Sequence, residues 1–355
     1  MRKAFFMTPL HPIYQAAAST RNPFNGFLRL ATNLFLLAVF LAAASASAQE
    51  GRRLRAGYTS ISGNMTPLWA AREGGYFKKY GIDMDLISMP SGNEGMNALI
   101  AGELEFLAIA GSTTASAALG GAEVVALGTT VERLVASLVV GAAIQKPEDL
   151  KGKSVGISRF GTSIDTGARI AIQHFGFEPV KDVAIVQIGS VASILSAMRG
   201  NRVQAAILTY PSIIQARREG YREMLDIASL GLPYASTGIT LRRSFMQQRH
   251  ELVTNYVKAI LEAIARLKKD KAFALDVMTK YLRTKDKEVL DGTYDVSVTK
   301  YLKRIPFPTP EAFRTVLEEL AEVNPKAKGQ DPRKFYDDSI LRELEKSGFI
   351  NALNR

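Results

Sequence analysis

Residues 91–114, SGNEGMNALIAGELEFLAIAGSTT, constrain the fold of this chain more than any other stretch. A polar loop, Ser91-Gly92-Asn93, opens a short amphipathic helix that stops at Gly102. Residues 104–109 form an apolar, strand-like run, and a second small-polar loop, Gly111-Ser112-Thr113-Thr114, opens another helix. Residues 196–205 repeat the arrangement of 98–106: helix end, glycine (Gly200), polar turn, apolar strand, then a loop rich in hydroxyls. The two glycines are expected to provide left-handed helix caps. A strand followed by such a loop and then a helix is the unit of a parallel α/β sheet. All such loops emerge at one end of the sheet, where helix N-terminal amides and hydroxyls can converge on a ligand. The repeat is too loose for a solenoid and suits two lobes of one architecture.

A chain of 355 residues is long enough for two domains, and 47% hydrophobic against 22% charged residues describes a packed protein. The absence of cysteine excludes disulfides, thiolate metal sites, cysteine catalysis and a lipid-modified cysteine. Of the three histidines, His11 lies in the N-terminal segment, while His174 and His250 lie on expected helices with no paired His or Glu at metal spacing. No phosphate loop, nucleophile elbow or dinucleotide fingerprint occurs, so the chain reads as a non-enzyme with no cofactor and no metal. Residues 1–48 read as a secretory leader: Arg2, Lys3, Arg21 and Arg29, an apolar run over 30–43, then Ala46-Ser47-Ala48 as the cleavage signature, with Gln49 the first retained residue. The formal charge is +11, and +7 without the four leader cations. The remaining charges are scattered, with no aromatic-interleaved basic stripe, so nucleic acid is not an expected partner.

In the rest of the chain, residues 54–58, 82–89, 104–109 and 123–127 read as strands, followed by a β-prone run at 134–140. A second series of strands is expected at 153–158, 183–188 and 203–208, and residues from 244 onward read as largely helical. Four sequence elements then coincide in order: Leu54-Arg55-Ala56-Gly57-Tyr58; residues 70–82, AAREGGYFKKYGI; residues 98–105, ALIAGELE; and residues 149–156, DLKGKSVG. Together they resemble the periplasmic solute-binding proteins of ABC importers in the nitrate, sulfonate and taurine group, a family that also includes binders of thiamine-pyrimidine precursors. The resemblance covers about 54–349, with Glu105 where the family usually carries Asp.

The resemblance implies a type II-like periplasmic binding protein: two α/β lobes joined by two crossing strands, a ligand cleft between them, and a helical C-terminal part. The crossings are expected at 129–141 and 233–241. Lobe 1 is then 49–133 with 237–355, and lobe 2 is 134–236. The implied function is capture of a small organic anion (sulfonate-, taurine- or carboxylate-like) or a pyrimidine-type nutrient by a periplasmic monomer. It would deliver the ligand to an inner-membrane permease driven by a cytoplasmic ATPase. A ligand sensor of the same fold is the alternative. A pyrimidine synthase of this fold is a third, although that enzyme relies on a cysteine-rich segment and this chain has none.

The candidate ligand contacts are the strand-end loops. In lobe 1 these are Ser60, Ser62 and Asn64; Ser91, Gly92 and Asn93; and Gly111, Ser112 and Thr113. In lobe 2 they are Arg159, Gly161, Thr162 and Ser163; Ser190; and Tyr210, with Thr237 at the return crossing. Hydroxyls and helix-start amides can hold an oxyanion, although any one of these Ser or Thr residues is as readily explained as a helix cap. Arg159 is the candidate charged partner, against an ordinary surface arginine.

Overall fold

The computed structural model describes residues 53–353. The expected leader, residues 1–48, lies outside them. Among these residues ten strands form two five-stranded sheets. They are β1 (Leu54–Tyr58), β2 (Met84–Ser88), β3 (Phe106–Ile109), β4 (Val124–Val131), β5 (Ser137–Val140), β6 (Ser154–Ile157), β7 (Ala184–Gln187), β8 (Ala205–Leu208), β9 (Arg222–Asp226) and β10 (Thr237–Arg242). The first sheet runs β2-β1-β3-β10-β4 and the second β7-β6-β8-β5-β9.

Each sheet has a parallel core of three strands. β1 pairs with β2 from Leu54↔Met84 to Tyr58↔Ser88 and with β3 at Ala56↔Phe106. β6 pairs with β7 from Ser154↔Ala184 and with β8 at Val155↔Ala205. β3 (FLAI) and β8 (AAIL) are buried along their whole length, because helices cover both faces of a parallel sheet and leave no position for a polar side chain. The fourth strand of each sheet is antiparallel and lies beside a crossing: β10 pairs with β3, and β5 with β8. The chain leaves the first sheet after β4, enters the second at β5, and returns at β10.

The structure alters three local expectations. β4 continues to Val131, past the expected end of that strand at 127, because its whole length is buried against β10. Gly111, Ser112 and Thr113 are not loop residues: the helix Gly111–Leu119 begins at Gly111, and its first five residues are buried. Gly200 is the helix cap but has ordinary backbone (φ −79°), and the left-handed residue is Asn201 (φ 51°). Asparagine tolerates that region better than most residues, so it serves where glycine serves in the first copy, at Gly102 (φ 80°).

That last difference fixes the repeat at a spacing of 99 residues, matching Gly102 to Asn201. Ser91 caps the helix Gly92–Ile100, and Ser190 caps the helix Val191–Arg199; each hydroxyl accepts from the amide three residues on. The amide of Glu103 donates to the Ala98 carbonyl, and that of Arg202 to Ala197, both at 2.9 Å. Glu105 Oε2 accepts from the Arg55 amide at 2.7 Å, and Gln204 Oε1 from the Ser154 amide at 3.2 Å. One side chain in each copy thus closes the open end of the first strand of its sheet. Glu105 is therefore a scaffold residue.

The C-terminal helices cover the first sheet. The helix His250–Lys269 packs on the helix Thr66–Glu73, and Tyr256 stacks on Phe106 at 3.6 Å between ring centroids. Trp69 is fully buried between the edge of Tyr58 and the face of Tyr281. The helix Pro310–Ala321 packs on Gly111–Leu119, and its Phe313, Val316 and Leu317 join the core of the second sheet.

Candidate functional site

The C-terminal ends of the parallel strands of both sheets face one cavity of about 360 Å³. Its walls come from the loops after β1, β2 and β3 on one side and after β6, β7 and β8 on the other. Both crossings complete it, with Leu134, Val135 and Ala136 from the first and Ser236 and Thr237 from the second.

Ten of the sequence candidates line this cavity. From the first sheet these are Ser60, Ser62, Asn64, Ser91, Gly92 and Thr113. From the second they are Thr162, Ser163 and Ser190, and the return crossing adds Thr237. The helices Gly92–Ile100, Ser163–His174 and Val191–Arg199 are among those that begin at the cavity, so the positive ends of their dipoles lie beside it.

The other six candidates lie off the cavity wall. Arg159 is at the rim, where its Nη2 pairs with Glu94 Oε1 at 3.1 Å across the gap between the two sets of loops. Beside it, Asn93 Nδ2 donates to the Phe160 carbonyl at 3.3 Å, again across the gap. Gly161 holds a left-handed turn (φ 77°) whose amide donates to Asp165 Oδ2 at 2.9 Å. Gly111 lies behind the wall: its amide donates to the Ala235 carbonyl at 2.7 Å, and Phe313 and Ala235 leave no space for a Cβ. Ser112 is 1% exposed, on the buried side of its helix. Tyr210 contributes its backbone, with its carbonyl accepting from the Gly63 amide at 3.3 Å, while the next residue, Pro211, lines the cavity after a cis peptide.

Sequence reasoning passed over several lining residues. Thr59, Ser88, Ser158, Thr209 and Ser212 are strand-end hydroxyls of the same kind as those singled out, and proximity to the chosen loops could have found them. Gln215 follows Ser212 by one helical turn, so it faces the same way. Leu134, Val135, Ala136 and Leu282 carry no local signal, because only the tertiary fold brings them to the cavity.

Among the described residues, no Asp, Glu, Lys, Arg or His and no aromatic ring lines the cavity. The nearby charges are bound into the scaffold. Asp165, behind the Gly161 turn, is 3% exposed and pairs with Arg169 at 3.1 Å. Burial pushes its carboxyl above the usual aspartate range, and the Gly161 amide and Arg169 only partly offset this. Glu319, on the helix Pro310–Ala321, is pushed up to about 7 by burial and by Glu322. On the side of the cleft formed by the C-terminal helices, Arg218 pairs with Asp286 and with Glu288. No group of three or more potential metal ligands occurs among the described residues. The cavity can therefore surround a small solute with hydroxyls, one carboxamide from each side (Asn64, Gln215) and helix-start amides.

A protein of Brucella abortus (strain 2308), provisionally named a binding protein, is 26% identical over 239 residues, covering 65% of this chain and 72% of its own. The taurine-binding periplasmic protein of Escherichia coli (strain K12) is 26% identical over 192 residues, covering 53% and 58%. The crystal structure of the periplasmic aliphatic sulphonate binding protein of Escherichia coli superposes with a TM-score of 0.64 at 18% identity, over 81% of this chain and 97% of that one. This likeness shows a shared periplasmic binding protein fold. A family model described as NMT1/THI5 like matches residues 62–272, more than half of the sequence, and the chain belongs to the NMT1/THI5-like family.

Proposed function

We propose that this protein is the extracytoplasmic solute-binding component of an ABC importer, capturing a small organic anion and passing it to an inner-membrane permease driven by a cytoplasmic ATPase. The observation that carries this reading is the cavity: three helix N-termini and the strand-end hydroxyls of two sheets converge on a space of small-molecule size. Helix-start amides favour an acid group even without a cation in the wall. The named relatives are binding proteins, which supports binding without turnover. In this reading residues 1–48 are a cleaved leader and the protein acts in the periplasm as a monomer. Residues 49–133 with 237–355, and residues 134–236, are lobes that close by hinging at the crossings.

A pyrimidine-type ligand is the second reading: among the described residues the cavity wall carries no cation, which favours it, and no ring to stack on, which opposes it. A thermal-shift screen of sulfonates, carboxylates, nitrate and pyrimidines tests both. At saturating concentration, an anionic ligand is expected to raise the melting temperature by about 5 °C or more. A rise with neutral heterocycles alone sinks the anion reading. Stimulation of an importer ATPase by the loaded protein, rather than of a sensor kinase, separates transport from sensing.

A further inference from the structure

The helix Gly111–Leu119 also begins at the cavity, which the preceding Ala110 and Thr113 of its first turn line. Its start is unlike the others there. Ser91 and Ser190 cap the helices Gly92–Ile100 and Val191–Arg199, and Glu94 and Asp165 place a carboxylate in the first turns of Gly92–Ile100 and Ser163–His174. Ala110 supplies no side-chain cap, and the first turn at Gly111 carries no acidic residue. The Gly111 amide donates to the Ala235 carbonyl at 2.7 Å, while among the described residues the amides of Ser112 and Thr113 have no partner. The positive end of this helix is therefore only partly compensated by the protein itself.

Two hydroxyls stand beside that start. Thr113 is 4% exposed and Ser236 7% exposed, and both line the cavity. Neither hydroxyl has a hydrogen-bond partner among the described residues, and neither is one of the unpartnered side-chain atoms that are sealed from solvent, so a solute in the cavity can reach both. Backbone contacts place the two residues. The Ser236 amide donates to the Val131 carbonyl at 3.0 Å, and the bond from Gly111 to Ala235 joins the return crossing to the helix start. On the other flank, a Cβ at Gly92 would lie 3.2 Å from Thr113 Oγ1, so the start of a second helix abuts the same hydroxyl. The carboxylate of that second helix, Glu94, is turned to Arg159 at the rim. Each O–H, having no partner, is free to turn toward a solute.

We propose that the acid group of the ligand binds in this corner, with the Thr113 and Ser236 hydroxyls donating to its oxygens and the uncapped start of the Gly111–Leu119 helix facing its charge. This rests on the reading of the cavity as a site for a small organic anion, and it fixes which way that anion lies. A carboxylate or sulfonate only accepts hydrogen bonds, and O–H donors beside a helix start match it. The neutral part of the solute then extends toward the second sheet, where Ser163, Thr209, Ser212 and Gln215 offer uncharged polar groups.

Calorimetric titration of the purified protein with two matched pairs tests this: ethanesulfonate against ethanesulfonamide, and propanoate against propanamide. In the unmodified protein each acid is expected to bind about tenfold or more tighter than its amide. Thr113→Val and Ser236→Ala, each losing one O–H, are expected to weaken the acids by about tenfold and the amides by less than about threefold. Thr113→Ser keeps the hydroxyl and is expected to bind the acids within about threefold of the unmodified protein. Ala110→Asp gives the helix start a cap and a carboxylate of its own, and is expected to weaken the acids about a hundredfold. If Thr113→Val and Ser236→Ala leave acid binding unchanged, or if Ser163→Ala weakens it more than either, the acid lies elsewhere in the cavity: the inference falls and the acid-binding reading stands. A loss shared equally by acid and amide, or not restored by Thr113→Ser, also overturns it, because it reports altered packing and not a lost contact. If neither acid binds the unmodified protein, both readings fail. Should Ala110→Asp not fold, the hydroxyl variants decide alone.

Discussion

The loop after β1 and the loop after β6 occupy equivalent places 99 residues apart, as Ser91 and Ser190 do, yet they are held by opposite means. Ser62, Gly63 and Asn64 correspond to Gly161, Thr162 and Ser163. The first loop is fixed by neutral contacts: Gly63 is packed against Ser297 and Thr293, and its carbonyl accepts from Thr66. The second has open space around Gly161 and is held by a buried carboxylate, Asp165, where the first copy has Thr66, together with hydrogen bonds from Thr162 Oγ1 to the Arg159 carbonyl at 2.7 Å and from the Phe160 amide to Gln187 at 2.8 Å. The difference comes from the surroundings. The C-terminal helices cover the first sheet and press on its loop, whereas the turn at Gly161 has no such cover. The first loop is a packed wall, and the second is an open turn held by hydrogen bonds and ion pairs.

The largest expected effect tests that charge. Asp165→Ala removes the acceptor for the Gly161 amide and leaves Arg169, whose side chain is 13% exposed, without its partner. A stability loss of about 3 kcal/mol is expected in urea unfolding, because a mostly buried cation then loses its ion-pair partner and keeps only the more distant influence of Glu319. A loss under about 1 kcal/mol would mean that the carboxylate is not what holds the second loop. Gly63→Ala comes next, at about 2 kcal/mol, since the new Cβ meets short buried side chains that cannot move aside. Its effect on binding is expected to exceed its effect on stability, because it displaces Asn64, and calorimetry with the best ligand of the screen reads this directly. Gly161→Ala is the mildest, at about 1 kcal/mol, the cost of a left-handed backbone with no steric clash. If Gly161→Ala proves costlier than Gly63→Ala, the contrast between packed wall and open turn is wrong.

Much of this arrangement was legible locally. The strand–loop–helix order, the hydroxyl caps at Ser91 and Ser190 and the near-repeat all follow from residue types whose preferences act over a few positions. The same local reasoning named ten residues that line the cavity. It could not place Arg159, which pairs with Glu94 at the rim, because a charged residue in a strand-end loop looks the same whether it faces the cavity or a partner in the opposite copy. It took Gly111 and Ser112 for loop residues because nothing nearby in sequence announces that Ala235 and Phe313 cover that turn. It aligned the two glycines, although Asn201 takes the left-handed position in the second copy.

The class of fold, the order of the elements and the chemical character of the cavity follow from periodicity, capping and small polar residues at strand ends. The tertiary structure alone decided which of those polar groups are already satisfied. Arg159 and Asn93 find partners across the gap, Thr66 and Asp165 serve their own loops, and Asn64 is left with a free acceptor. Whether a buried group is satisfied depends on surfaces that meet across tens or hundreds of residues, and no local pattern records that meeting.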